Sequence, residues 1–155
     1  MEGVQLIYQF QWGNLIMTVN KEDLYLIDVA RNTIKTLYVD GKHHVGAAVR
    51  TKTGKIYSAV HLEANIGRVS VCAEAIALGK AISEGESEFD TIVAVRHPDP
   101  TQENQKIEVV SPCGICRELI SDYGKGTNVI LKNKEGYIKT VISDLLPNKY
   151  IREDN

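Results

Sequence analysis

Two short stretches, Val71-Cys72-Ala73-Glu74 and Pro112-Cys113-Gly114-Ile115-Cys116, hold the residue types in this chain that can do chemistry together. They contain all three cysteines and a carboxylate two residues past the first of them. Three thiolates suit a zinc ion; a structural zinc is normally closed by four protein ligands, whereas a catalytic one keeps a position for water. Three cysteines without a fourth therefore point to catalysis, and Glu74 supplies the carboxylate such a site needs to move protons. On the residues alone three other readings stay open. These are a Cys-x-x-Cys redox pair, a closed zinc with His43, His44, His61 or His97 as fourth ligand, and buried thiols without metal. The redox reading lacks the aromatic and proline surroundings of thioredoxin-like sites.

Sulfurs 41 positions apart meet only if the fold aims them at one point. All three cysteines fall at predicted helix starts. A spacing of three puts Cys113 and Cys116 on one helical face, and the partial positive charge of a helix N-terminus favours thiolate over thiol. One helix is predicted from Cys72 to Ser83, apolar nearly all round and hence buried. Another follows Pro112, carries Ile115, Leu119, Ile120 and Tyr123, and ends at Gly124. A third, earlier in the chain, is capped by Asn20, with Glu22 and Asp23 in its first turn and an apolar stripe of Leu24, Ile27, Ala30, Ile34 and Leu37. Strands are predicted at Val45 to Arg50 and Ile56 to Leu62, joined by a Thr53-Gly54 turn, and at Phe89 to Arg96, Ile107 to Val110, Val129 to Leu131 and Tyr137 to Ile142. Ser143 is placed to cap a last helical turn. Strands alternating with buried helices give an α/β layered domain.

The 155 residues match one domain, read as residues 20–155, preceded by an extension over 1–19. In that extension Val4, Leu6, Tyr8, Phe10 and Trp12 alternate with mostly polar neighbours, which reads as an added edge strand or as a stretch before a start at Met17. Eighteen Lys and Arg against twenty Asp and Glu leave a net charge of -2, which offers no footprint for nucleic acid or for an anionic membrane. Apolar runs fall far short of the roughly 20 residues of a membrane span. Unpaired cysteines without an export signal suggest a cytoplasmic protein.

Cys72-Ala73-Glu74 followed by Pro112-Cys113-Gly114-Ile115-Cys116-Arg117 resembles the paired zinc motif of the cytidine deaminase family. The likeness extends to Val45-Gly46-Ala47-Ala48 with its hairpin, and to Leu145-Leu146-Pro147 with Tyr150. It implies a three-layer α/β/α sandwich with a five-stranded mixed sheet and a homotetramer (or dimer) with shared active sites. It also implies Zn2+ held by Cys72, Cys113 and Cys116, with Glu74 as acid and base in the hydrolytic deamination of a free cytosine nucleoside, cytidine or deoxycytidine. The backbone at Ala73 and at Ser111-Pro112-Cys113 would accept from the exocyclic amine. Glu63 matches the family's ribose-binding Glu, whereas His61 stands where Asn is usual, His43 where an aromatic packs on the base, Ala64 where Asn follows the Glu, and Ala75 where an Arg faces the sulfurs. Glu118 replaces the usual Gln after the matching Arg117. These departures resemble blasticidin S deaminases, so a modified cytosine nucleoside is the alternative substrate. A non-catalytic zinc-stabilised binding module is the alternative of another class.

Overall fold

A computed structural model describes residues 9–11 and 14–153. The elements in chain order are β1 (Gln9–Gln11), β2 (Asn14–Thr18), α1 (Lys21–Leu37), β3 (Val45–Thr51), β4 (Ile56–Val60), α2 (Ala73–Ser83), β5 (Phe89–Arg96), β6 (Glu108–Val110), α3 (Gly114–Tyr123), β7 (Asn128–Lys132) and β8 (Tyr137–Val141). The strands form one mixed sheet in the order β1-β2-β8-β7-β5-β3-β4, with β6 pairing β5 off that path. Five of these, β4-β3-β5-β7-β8, form the unbroken run that matches the expected sheet. The sheet is larger than five because β2 adds to the outer edge of β8, β1 pairs β2, and β6 takes the half of the β5 edge that β7 leaves free. Of the predicted alternation at the N-terminus, Val4, Leu6, Tyr8 and Trp12 lie outside the described residues.

Successive strand side chains point to opposite faces, and β3 and β5 use this to bury both. Ala47 and Val49 of β3, with Ile92 and Ala94 of β5, pack on Ala73, Ala77, Leu78 and Ala81 of α2 and on Ile120 of α3. Ala48, Val93 and Val95 pack on Leu26, Ile27, Ala30 and Ile34 of α1. The result is helix, sheet, helices in three layers. Contact with α1 is so close at Gly46 that a Cβ there would stand 2.8 Å from the Ala30 carbonyl oxygen and from the Ile34 Cβ.

Asn20 caps α1 in a reciprocal box with Asp23, the Asp23 amide donating to Asn20 Oδ1 at 2.9 Å and the Asn20 amide to Asp23 Oδ2 at 3.1 Å. The buried face of α1 differs from the expected stripe. Leu24 and Leu37 are exposed and Leu26 takes their place, because fully buried Asp23 turns that side of the helix inward. Arg50 of β3 and Lys139 of β8 reach Asp23 at 2.8 and 2.7 Å. Burial alone would raise the Asp23 carboxyl, but these two cations outweigh it and hold the group below its usual range.

Three smaller expectations also change. In α3, Ile115 and Tyr123 face solvent and Cys116 takes the inward position with Ile120. β4 stops at Val60, and Leu62 makes only an isolated bridge to Val71. The last 3-10 turn, Ile142–Leu145, follows Val141 without a side-chain cap, so Ser143 lies inside it.

One pairing positions the site. β5 and β7 are parallel, with Thr91 opposite Asn128 and Ile92 opposite Val129. α2 leads into β5 and α3 into β7, so both helices run back along the same face and start at the same end of the sheet. Two cysteine-bearing helix starts are thereby brought together.

Candidate active site

Cys72 is the N-cap of α2 and Cys113 the N-cap of α3. Their sulfurs lie 3.7 Å apart, and with the Cys116 sulfur they form a group within 4.8 Å of one another. Cys113 Sγ accepts from the Cys116 amide at 3.5 Å, so the backbone of the second loop curls around one of its own sulfurs. Pro112 precedes the cap and lies outside the helix. Arg117 steadies this turn, donating from Nε to the Pro112 carbonyl at 3.0 Å and from Nη1 to the Leu145 carbonyl at 3.2 Å.

Considered on protein groups alone, the three thiols are unlike. Burial pushes Cys116 up, and Glu74 and the other two sulfurs push it further. Burial also pushes Cys72 up. Burial acts the same way on Cys113, but the amides of Cys116 and Ile115 and its neighbouring thiols outweigh it and bring this thiol below its usual range. Three soft donors converging on two helix starts fit zinc, which compensates the charge that buried thiolates carry. No histidine joins the group, so the closed four-ligand reading has no support among the described residues.

Glu74, the second residue of α2, is 5% exposed, and burial raises its carboxyl above the ordinary range. A cavity of about 260 Å³ opens over it, lined by Val45, His61, Glu63, Ser70, Ala73 and Val110 as well as by Cys72, Cys113, Val71 and Ser111. The predicted residues Glu74, Cys72, Cys113, His61, Glu63 and Ala73 therefore share one concave wall. Cys116 sits behind it, 1% exposed.

Two predicted residues stand apart from that wall. The His43 ring is turned to the backbone, Nδ1 lying 2.8 Å from the His61 carbonyl oxygen, and Tyr150 is 81% exposed. Ser70 is a polar lining residue that sequence reasoning missed, as it missed the apolar Val71 and Val110. Its hydroxyl donates to Glu63 Oε1 at 3.1 Å and accepts from the Ala64 amide at 3.1 Å. A serine among ordinary loop residues gives no signal of this, since the contact depends on the Leu62–Val71 bridge closing the loop.

Residues 20–132 match the family model described as cytidine and deoxycytidylate deaminase zinc-binding region. The chain belongs to this family. A blasticidin-S deaminase of Bacillus cereus is 58% identical over 86% of this chain and 96% of its own length. A cytidine deaminase of Sporosarcina psychrophila is 33% identical over 83% of this chain and 91% of its own. The crystal structure of cytidine deaminase from Burkholderia pseudomallei superposes with a TM-score of 0.65 at 29% identity, covering 82% of this chain and 98% of that one. The protein is thus a zinc-dependent hydrolase of the cytidine deaminase type. Among the described residues no helix is long and apolar enough to cross a membrane.

Proposed function

We propose that the protein hydrolytically deaminates a free cytosine nucleoside, and that within this class its substrate is a modified nucleoside of the blasticidin S type. The observation that carries the reaction is the cluster of three sulfurs, two of which, Cys72 and Cys113, share the cavity wall with a buried Glu74. Cys72, Cys113 and Cys116 would hold the zinc, which when bound supplies the Lewis acidity that brings the ionisation of water into the neutral range. Glu74 accepts a proton from the attacking water and delivers it to ring N3 as oxygen bonds to C4. It then passes the second water proton to the exocyclic amine. The C4–N bond breaks, ammonia leaves, and a uracil nucleoside remains. Ala73 and Ser111 line the cavity, and their carbonyls would orient that amine.

For the substrate, the much higher identity to the blasticidin-S deaminase than to the cytidine deaminases supports the modified nucleoside. Glu63, at the family's ribose-binding position and on the cavity wall, supports the second reading, cytidine or deoxycytidine in pyrimidine salvage. The test follows loss of cytosine absorbance and ammonia release with cytidine, deoxycytidine, cytosine, CMP and blasticidin S, alongside zinc content. Turnover of blasticidin S above that of cytidine is expected; the reverse order selects the second reading. Zinc without ammonia from any of the five leaves a zinc-stabilised binding module and sinks the proposal.

The reading extends to the whole particle. Residues 20–155 act as one domain carrying an N-terminal extension over 1–19, in a cytoplasmic homotetramer. Leu62, Ile66, Val69 and Val71 around the cavity loop, with Ile115, Tyr150 and Ile151, are exposed and apolar, and burying them against further copies supports this assembly. Light scattering that gives a monomer would remove it.

A further inference from the structure

His61 stands at the position where the family resemblance leads one to expect a residue that binds the sugar, and its ring has no nitrogen left to do so. Nδ1 accepts from the amides of His44 at 2.9 Å and Val45 at 3.1 Å. An acceptor of two N–H groups carries no proton, so the ring proton is on Nε2, 3.3 Å from Glu63 Oε2. Burial favours the same neutral ring, against the pull of Glu63 and with the neighbouring His44 and His43 rings. Glu63 is then held at both oxygens by neutral donors, the imidazole at Oε2 and the Ser70 hydroxyl at Oε1. Among the described residues no Lys or Arg pairs with it, and its side chain is 44% exposed toward the cavity.

We infer that His61 is a positioning residue, which fixes Glu63 as an uncompensated carboxylate at the cavity wall so that Glu63, and not His61, binds the sugar. The sugar group it selects is a hydrogen-bond donor, and a cationic amino group is favoured over a hydroxyl because no protein cation competes for the carboxylate. This rests on the deaminase reading given above.

Two measurements test it, one of them independent of turnover. In 15N NMR spectra of the zinc-loaded protein at neutral pH, the His61 ring is expected as the Nε2-protonated tautomer; an Nδ1-protonated or doubly protonated ring overturns the inference even if no substrate is turned over. The second measurement is a kinetic cycle of His61→Phe, Glu63→Gln and the double variant, each checked for a native melting curve. Phe keeps the volume of the ring without the Nε2 donor and, unlike Asn, brings no amide that could bind the sugar itself. His61→Phe is expected to raise KM for the best substrate about tenfold with kcat within about twofold, the pattern of lost uniform binding. In the Glu63→Gln background the same change is expected to do less than twofold, since both residues act through one carboxylate. A His61 effect of equal size in both backgrounds overturns the inference while leaving the deaminase reading intact. Wild-type protein silent on every cytosine nucleoside sinks that reading and leaves the tautomer measurement to decide this one.

Discussion

At the scale of single residues, three side chains can be tested separately. Glu74→Gln is expected to retain zinc and lose on the order of 10²–10⁴ in turnover, the range for a positioned acid and base. Metal analysis with single-turnover assays checks both halves, and an active zinc-loaded variant would take Glu74 out of the mechanism. Cys113→Ala removes both a ligand and the acceptor that shapes its own loop through the Cys116 amide, so zinc and activity should disappear together. His61 gives a stability prediction with a definite sign. Its folded-state affinity for a proton is lowered, so the unfolded chain binds the proton more readily. The contribution is complete above the ordinary imidazole range near 6.5 and falls away as pH drops below it. Urea unfolding at pH 7.5 and 5.5 should show a larger loss for the wild type than for His61→Asn. The sulfurs and Glu74 were legible in the sequence because few side chains bind zinc and their spacing is narrow. His61 was legible as a departure from the family but not in its role, because ring tautomers are set by partners such as the Val45 amide that come from another strand.

Elements impose a different constraint. The contact between α1 and β3 has no room for a methyl at Gly46, which makes Gly46→Ala a test of the three-layer packing. The expected cost is about 1–3 kcal/mol, typical of overpacking, read as a lower urea midpoint with an unchanged slope. An unaffected midpoint would mean that the helix moves away freely. Much at this scale was readable from pattern. β5 was predicted with both its limits, and the Thr53-Gly54 turn was predicted where Gly54 has φ +87°. The buried side of α1 was readable at Ile27, Ala30 and Ile34 but not at Leu24 and Leu37, because apolar spacing alone ranks Leu24 with Ile27 and cannot weigh a carboxylate drawn inward by Arg50 and Lys139. The outward residues of α3 misled in the same way. Ile115 is apolar and regularly spaced, yet 77% exposed, and only a partner surface would give it the burial its character suggests.

For the molecule as a whole, all three ligands meet only in the folded state, whereas the unfolded chain offers Cys113 and Cys116 without Cys72, so zinc binds the folded state more tightly. Chelation is expected to lower the melting temperature, and stoichiometric zinc to restore it; a melting curve indifferent to metal would show that the helix starts hold each other without it. At the N-terminal side β2 joins β8, with Met17 opposite Lys139 and Thr18 opposite Ile138.

Among the described strands one pair is parallel, and it governs the spacing of the zinc ligands. Two backbone pairings join β5 to β7, and the Asn128 side chain adds one brace by donating to the Asp90 carbonyl at 3.2 Å. Sliding one strand past the other by a residue moves a helix start by about 3.3 Å, longer than any zinc–sulfur bond. This joint thus sets how far apart the two helix starts that carry the thiolates stand. Asn128→Ala should reveal itself first in a zinc competition titration, with the unfolding curve barely altered.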